Sequence, residues 1–410
     1  MAELFTYMSW NIKNWSVRRA HKPVEPSHPL LSSVIVAAKI ADFIHRMGAN
    51  VVGVMEVCRE SPRNVGVSGC DALQVALNEA AVHGPTGPLT VKGAHRAPDL
   101  SDLGPGEYGP WKYWISANNS ATRADRYAVF WVTRHYQYAG RKFDAVDVTE
   151  CQLAERGPPG DDWTDRAPAQ WKTSRANGRD SDKPVRCLLW HAPQPKNHRG
   201  AREFILLREH MRNLEGDVDN RVLVSGDFNW NLDRKSIYGA LLNADYMAYP
   251  GPEGGPGSQG KTRPTSLTGP GRKSERAAAA ARMEALVASG RFDEAYMANP
   301  YDSIFANTDG LTVERAAGVL IPLEIYHELM ADASQTPTPT PAHTAFMGGY
   351  QISDHIPIVG TVATAGKGKT SAASPAQPAA PAAPSTPPLT INRAPLSQRP
   401  QRAARRRGPR

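Results

Sequence analysis

Short apolar runs alternate with longer amphipathic stretches along most of the chain. Apolar runs of four to eight residues predict strands, and apolar residues repeating every three or four positions predict helices. The predicted strands cover residues 6–12, 51–57, 127–132, 186–190, 222–224, 303–305 and 358–362. The predicted helices cover residues 31–47, 71–83, 202–214, 274–289 and 316–333, with Asp71 expected to cap the second of them. Strands mixed with helices in this way predict a layered α/β or α+β fold.

Two stretches interrupt this pattern and are interpreted as insertions near 250–290 and 310–345. Residues 250–273 are rich in Gly and Pro and predict a loop, and a Thr-Pro repeat near 336–341 predicts irregular structure. The body at 1–365 is therefore expected to be one catalytic domain. Residues 366–410 are rich in Ala, Pro and Arg, have little apolar bulk, and predict a disordered basic tail.

The net charge of +8 is located mainly in that tail. Residues 366–410 contain nine Lys or Arg and no Asp or Glu, which leaves −1 for residues 1–365. The high isoelectric point therefore describes the tail and gives no evidence of a basic, nucleic-acid-binding body. The tail is a candidate for contact with nucleic acid, an acidic partner or a membrane surface, and a solubilising tail without a partner is the alternative.

Targeting and cysteine signals give little further guidance. The N-terminus lacks a charged region followed by a long apolar stretch, and no run reaches membrane-spanning length. A cytoplasmic location is the default expectation, and export by a route without cleavage stays open. The four cysteines have no C-x-x-C spacing, which disfavours a zinc site. Free thiols are favoured over a Cys58–Cys70 disulfide.

Polar residues with one shared chemistry follow several of the predicted strands. Asp227 and Asn229 end an apolar run and, in an extended chain, would project from the same face. Asp354 and His355 precede the last predicted strand. Carboxylate and amide oxygens favour Mg²⁺, with Mn²⁺ or Ca²⁺ as alternatives, and an imidazole can transfer protons near neutral pH. These residue types together favour metal-assisted hydrolysis of a phosphoester, because a divalent cation neutralises the phosphate.

A set of motifs in a fixed order extends this interpretation. The motifs are W-N-I at 10–12, V-M-E-V at 54–57, D-R-Y at 125–127, R-A-P-A at 166–169, L-W-H-A-P at 189–193, S-G-D-F-N at 225–229, Y-D-S-I at 301–304 and S-D-H at 353–355. From residue 6 to residue 362 the chain resembles the endonuclease/exonuclease/phosphatase superfamily, and within it deoxyribonuclease I-like nucleases. The resemblance implies an α+β fold, a four-layer αββα sandwich of two packed mixed sheets flanked by helices.

The resemblance also implies a role for each matched residue. Glu56, Asn11 and Asp354 would bind the metal. His191 and His355 would be the active-site histidines, with Asp125 orienting His191 and Asp302 orienting His355. The implied catalytic residues are His191, His355, Asp227, Asp302, Asp125 and Asn229, and the implied substrate-binding residues are Arg166, Asn229 and Arg126. The nuclease branch has Glu where this chain has Asp125, one methylene shorter. The pairing of Asp125 with His191 is therefore expected to be looser or bridged by water.

Three functions follow from these residues. A divalent-metal-dependent nuclease that cuts DNA, with endonuclease action as the first expectation, is the leading hypothesis, because of the R-x-P-A and D-R-Y elements and the basic tail. A phosphatase or phosphodiesterase acting on a small-molecule or lipid phosphoester is the alternative, although no exposed aromatic hairpin of a lipid enzyme is evident. A binding module without catalysis is disfavoured, because Glu56, His191, Asp227 and His355 are all present.

Overall fold

The residues that can be described form most of the predicted body. A computed structural model describes residues 2–20, 22, 36–58, 68–83, 109–117, 125–155, 166–176, 183–193, 200–233, 235–242, 245–249, 265–266, 276–289, 298–318 and 353–365. These residues belong to the unit Met1–Lys369. The predicted tail at 366–410 and parts of both predicted insertions lie outside the described residues. The division of the chain at residue 365 stays a prediction.

Two six-stranded mixed sheets and a small hairpin contain the strands. Sheet I consists of β1 (Glu3–Trp15), β2 (Val51–Cys58), β3 (Trp111–Ile115), β4 (Asp125–Val132), β13 (Leu311–Gly318) and β14 (Ile358–Thr364). Sheet II consists of β7 (Val146–Leu153), β8 (Ala169–Arg175), β9 (Val185–Leu189), β10 (Val222–Asp227), β11 (Tyr246–Tyr249) and β12 (Asp302–Asn307), and β5 (Tyr136–Tyr138) pairs with β6 (Arg141–Phe143). The strand orders are β13-β14-β1-β2-β4-β3 in sheet I and β11-β12-β10-β9-β8-β7 in sheet II.

Six helices complete the described elements. They are α1 (Val17–Ala20), α2 (Val36–Met47), α3 (Gly69–His83), α4 (Gly200–Glu215), α5 (Lys235–Leu242) and α6 (Arg276–Ala288). Four of them match the predicted helices at 31–47, 71–83, 202–214 and 274–289, although residues 31–35 lie outside the described part of the chain. No helix in the described ranges is long and apolar enough to span a membrane.

Three hydrophobic cores lie between the layers of the fold and pack them together. The central core lies between the two sheets and contains Tyr7 of sheet I and Trp171 of sheet II. A second core joins the outer face of sheet I to α2 and α3, and a third joins the outer face of sheet II to α4 and α5. Alternation along β1 explains this arrangement, because Tyr7 enters the central core whereas Met8 and Trp10 enter the outer one. The predicted four-layer αββα sandwich is confirmed.

Two local predictions are wrong. The helix predicted at 316–333 does not begin at residue 316, because residues 316–318 end strand β13, where Ala317 pairs with Val359. Pairing with β14 here overrides the helix preference of an alanine-rich stretch. Asp71 is not the cap of α3: Ser68 accepts from the Asp71 N–H at 3.1 Å, and Asp71 accepts from the Ser68 N–H at 2.6 Å. This reciprocal pair is a capping box with Ser68 at its N-terminal position.

Candidate active site

Strand direction brings the predicted site residues to one edge of the sandwich. Asn11 and Glu56 lie near the carboxyl ends of the parallel strands β1 and β2, where Asn11 pairs with Met55. Asp227 ends β10, which runs parallel to β9, and His191 follows β9 by two residues. Asp302 begins the antiparallel strand β12 opposite Asp227. The carboxyl ends of parallel strands and the amino ends of their antiparallel neighbours meet at the same edge.

Two carboxylates meet at the side chain of Asn11. The Asn11 amide donates from Nδ2 to Oε1 of Glu56 and to Oδ2 of Asp227, both at 3.1 Å. Asn11 and Asp227 are buried, whereas the Glu56 side chain keeps a quarter of its surface exposed. The Asn11 amide therefore holds the two carboxylates close together, and the carboxylate of Glu56 is accessible from solvent.

A bulge in β1 orients Glu56 from its other side. The β1–β2 register shifts between Asn11 and Trp15, and Lys13 and Asn14 adopt left-handed backbone conformations, with φ of 49° and 52°. The Asn14 N–H donates to Oε2 of Glu56 at 3.1 Å. Glu56 itself has φ of 58°. Successive left-handed residues other than glycine persist where surrounding contacts enforce them, which is common at functional sites.

Asp354 lies at this edge in an ion pair with Lys13. The Lys13 ammonium contacts Oδ2 of Asp354, and both side chains are partly exposed. The neighbouring Ser353 donates its hydroxyl to the Asn11 carbonyl at 2.6 Å. This bond holds the 353–355 segment against β1. Asp354 and His355 therefore lie at the same edge as Asn11 although they are far from it in the sequence.

Both predicted active-site histidines face Asp227. Nε2 of His191 lies 3.6 Å from Oδ2 of Asp227 and 3.8 Å from Oε1 of Glu56. Nε2 of His355 lies 3.5 Å from the same Asp227 oxygen. His355 also donates from Nδ1 to Oδ2 of Asp302 at 2.8 Å. Asp302 and His355 thus form the predicted pair through a direct hydrogen bond. His191 instead lies near the carboxylates of Glu56 and Asp227.

The charges of this cluster depend on burial and on each other. Burial raises the pKa of Asp302 to about 6 against the opposing charge of His355. Burial would lower the pKa of His355, but the carboxylates of Asp302 and Asp227 outweigh it and raise that pKa well above its usual value. Burial would likewise raise the pKa of Asp227, but His355 and His191 lower it. The arrangement thus favours an imidazolium at His355 between two carboxylates.

A tight turn after β10 places Asn229. Asn229 has φ of 54° and its N–H donates to Oδ1 of Asp227 at 2.9 Å. The prediction that Asp227 and Asn229 project from one face of an extended chain is therefore wrong, because the strand ends at Asp227. The Asn229 side chain donates from Nδ2 to the Ala192 carbonyl at 2.8 Å. It thereby holds the segment that carries His191.

The predicted substrate-binding arginines are placed differently from the histidines. Arg166 is 3% exposed, and its Nη1 donates to the Ala192 carbonyl at 3.4 Å. Arg126 is partly exposed in β4, where it pairs with Val57. The backbone of Asp125 pairs with Cys58 at the start of β4, but its side chain lies outside the described part of the molecule. The predicted contact of Asp125 with His191 therefore stays a prediction.

Three further residues, which sequence reasoning did not identify, support the site. Thr265 donates its hydroxyl to Oδ2 of Asp302 at 2.8 Å. The Tyr127 hydroxyl accepts from the His191 N–H at 3.1 Å. Lys13 forms the ion pair with Asp354. Only Tyr127 lies within a motif, D-R-Y, that already indicated the site; Lys13 and Thr265 carry no sequence signal of this kind.

Two groupings of residues at this edge are candidates for binding a hard divalent cation. The first is the predicted set of Glu56, Asn11 and Asp354, in which the Glu56 carboxylate is accessible from solvent. The second is Asp227, Asp302 and His355, whose ligand atoms all lie within 4.8 Å of one another. The second grouping already uses Oδ2 of Asp302 in its bond to His355. The first grouping offers the oxygen atoms that Mg²⁺ prefers, but the Asn11 oxygen accepts from the Lys13 N–H at 3.0 Å and Asp354 is paired with Lys13. Its role as the metal site stays a prediction.

Comparison with known proteins gives distant likenesses only. No family model matches the chain, and no curated protein matches it. A solved endonuclease/exonuclease/phosphatase family protein from Bacteroides thetaiotaomicron matches with a TM-score of 0.47 and 11% identity, over 88% of this chain and 97% of its own. The human Nocturnin catalytic domain matches with a TM-score of 0.43 and 11% identity, over 88% of this chain and 94% of its own.

A third solved structure comes from the same bacterium as the first. It is a mannosyl-6-phosphatase of Bacteroides thetaiotaomicron, with a TM-score of 0.45 and 12% identity, over 88% of this chain and 99% of its own. The family named for the first structure is the one that the motifs resemble. Scores and identities this low carry no argument about activity, which rests on the residues of the site.

Proposed function

We propose that this protein is a divalent-metal-dependent phosphodiesterase that hydrolyses DNA, most simply as an endonuclease. One observation carries the proposal. Asn11, Glu56, His191, Asp227, Asp302 and His355 come from six separate segments and meet at one edge of the sandwich through the bonds and ion-pair distances given above. An accessible carboxylate next to the buried His191 and the partly exposed His355 supplies the groups that phosphoester hydrolysis requires.

Each residue has a distinct part in this proposal. Glu56, with Asn11 and Asp354, would hold Mg²⁺, and the bound cation would neutralise charge on the phosphate. His355 is kept in its charged form by Asp302 and Asp227, so that Nε2 can bind a phosphate oxygen or donate a proton to the leaving group. His191 is the second imidazole and is suited to accept the proton of the attacking water. Asn229 holds the His191 segment, and its predicted contact with the phosphate stays a prediction.

A small phosphoester is the second candidate substrate, and one observation favours it. Arg166 is a predicted substrate-binding residue, but its side chain is buried and bonds the Ala192 carbonyl. A buried arginine offers no charge to a phosphate on the surface. The body at 1–365 also carries a net charge of −1, so affinity for DNA would depend on the basic tail or on local groups.

Plasmid nicking tests the proposal and separates the two substrates. The full chain is incubated with supercoiled DNA in Mg²⁺, with and without EDTA, alongside His191→Ala and, as a control, the surface variant His135→Ala. We expect nicking that requires Mg²⁺, a loss of about 100-fold or more in His191→Ala, and little change in His135→Ala, whose side chain is half exposed on the hairpin side of the fold.

The same preparations are assayed on bis(4-nitrophenyl) phosphate and 4-nitrophenyl phosphate. Absence of nicking in Mg²⁺, Mn²⁺ and Ca²⁺, together with metal-dependent turnover of either small ester, would replace DNA by a small phosphoester as the substrate. Folded protein without turnover of any of these substrates would contradict the proposed activity itself.

A further inference from the structure

Thr265 is a fully buried threonine in a stretch whose sequence predicts only a loop. It belongs to the Gly/Pro-rich residues 250–273, of which the structure describes Thr265 and Ser266 alone. Thr265 has 0% of its surface exposed. An insertion that only covered the surface would have no reason to bury a hydroxyl beside a catalytic carboxylate.

The Thr265 hydroxyl is used in three hydrogen bonds around Asp302. Oγ1 donates to Oδ2 of Asp302 at 2.8 Å. The same oxygen accepts from the N–H of Asp302 at 2.8 Å and from the N–H of Tyr301 at 3.0 Å. Thr265 therefore binds both the side chain of Asp302 and the backbone that carries it, so the position and the rotation of the carboxylate are fixed together.

The backbone of the same segment contacts the other partner of the pair. The Ile356 N–H donates to the Thr265 carbonyl at 2.9 Å, and Ser266 forms an isolated β-bridge with His355. The N–H groups of Thr265 and Ser266 both donate to the Asn299 carbonyl at 2.9 Å. Residues 265–266 thus lie between the strand start that carries Asp302 and the segment that carries His355.

The hydrogen bonds of the Asp302 carboxylate show what the Thr265 hydroxyl contributes. Oδ2 accepts from both Thr265 and His355, whereas Oδ1 is buried and has no hydrogen-bond partner among the described residues. Without the Thr265 hydroxyl, only the bond from His355 would restrain rotation of the carboxylate about χ2. The carboxylate and imidazole would then lose the fixed relation on which an oriented proton donor depends.

We propose that Thr265 is a positioning residue for the Asp302–His355 pair, acting through its hydroxyl on the Asp302 carboxylate. The inference rests on the proposed function for its catalytic consequence, but the geometric effect on the pair does not depend on which phosphoester is the substrate. Thr265 touches no reacting atom in this account, and it acts only through Asp302.

Three variants of the full chain test the catalytic consequence. Thr265→Val removes the hydroxyl with little change in volume, and Thr265→Ser keeps it. Thr173→Val is the matched control, because Thr173 is a buried threonine of sheet II whose Oγ1 accepts from Trp171 Nε1 at 2.9 Å, away from the site. We expect kcat to fall about 10- to 100-fold in Thr265→Val with KM nearly unchanged, to recover in Thr265→Ser, and to stay near wild type in Thr173→Val.

A readout without turnover separates this inference from the proposed activity. An imidazole Nδ1–H bonded to a buried carboxylate gives a proton resonance far downfield in NMR spectra, and a His355→Gln variant identifies it. We expect this resonance in wild type, Thr265→Ser and Thr173→Val, and its loss or shift upfield in Thr265→Val. An unchanged resonance in Thr265→Val, or a fall in kcat no larger than that of Thr173→Val, would overturn the inference, whether or not wild type cleaves DNA.

Discussion

Asp227 is the residue on which the polar contacts of the site converge. Oδ2 accepts from Asn11 and lies within 3.6 Å of the Nε2 atoms of His191 and His355, and Oδ1 accepts from the Asn229 N–H. These four partners keep the pKa of Asp227 low although burial alone would raise it. A buried carboxylate that stays ionised therefore places a negative charge opposite the Nε2 atoms of His191 and His355.

The sequence identifies some site residues better than others for physical reasons. Asp227 could be predicted because it ends an apolar strand, and Glu56 because it is the charged residue that interrupts an otherwise apolar one. Thr265 and Lys13 could not, because their partners Asp302 and Asp354 lie far away in the chain and no local periodicity marks such contacts. The burial of Arg166 was missed because a motif describes neighbours in the sequence and not the packing around them.

Buried His45 predicts a pH-dependent loss of stability that is separate from the site. Its side chain is 1% exposed and packs among the rings of Trp111, Tyr136, Tyr138 and Phe143. Burial lowers the pKa of His45 to about 4, below the value of about 6.5 in an unfolded chain. The unfolded state therefore binds the proton first, and stability present above pH 6.5 is lost as the pH falls toward 4.

The expected loss from His45 between pH 7 and pH 5 is about 2 kcal/mol in the free energy of unfolding. Urea denaturation of wild type and His45→Phe at both pH values measures it, because groups common to the two proteins cancel. His135→Gln should behave as wild type, since the His135 side chain is half exposed. An equal loss of stability in wild type and His45→Phe would contradict the buried, neutral state of His45.

β10 lies so close to the segment that follows β9 that only glycine fits at position 226. Gly226 has φ of 146°, and a Cβ atom there would lie 1.9 Å from the Trp190 carbonyl oxygen. The Trp190 N–H donates to the Ser225 carbonyl at 2.9 Å, and the Ala192 N–H donates to the Asp227 carbonyl at 2.9 Å. This close approach holds His191 next to Asp227.

Gly226→Ala should therefore separate the two strand ends. We expect a loss of about 3 kcal/mol or more in the free energy of unfolding, since the clash involves backbone and cannot be relieved by a side chain. Denaturant unfolding monitored by circular dichroism measures it. Gly216→Ala is the matched control, because a Cβ atom there meets nothing within 4 Å, and we expect a change below about 1 kcal/mol. Similar unfolding curves for the two variants would contradict the close approach.

Strands β7 and β8, which the sequence did not predict, have weak patterning. β7 is an edge strand of sheet II in which exposed polar residues alternate with half-buried ones, and β8 interrupts its apolar residues with Gln170 and Lys172. Central strands such as β2 and β10 are buried over almost their whole length, so their apolar runs were clear. Tertiary pairing, and not local preference, gives the weaker strands their structure.

Over the whole molecule, the site and the charge are separated along the chain. The site lies within residues 11–355, whose sandwich is held by three apolar cores, whereas the excess positive charge lies in residues 366–410. The fold could be predicted because the order of the motifs resembles that of a known superfamily. The choice between DNA and a small phosphoester could not, because it depends on surfaces and charges that no motif describes.

The most direct test of metal-dependent hydrolysis at this site is the rate of plasmid nicking as a function of Mg²⁺ concentration for wild type and Glu56→Gln. The substitution keeps the shape of the side chain. It removes the charge and also replaces one of the two oxygens that accept from Asn11 and Asn14 by an NH2 donor. We predict that the wild-type rate rises with Mg²⁺ and saturates, and that Glu56→Gln is slower by roughly 100-fold or needs far more Mg²⁺. A wild-type rate that is the same in Mg²⁺ and in EDTA, or equal curves for the two proteins, would contradict the account.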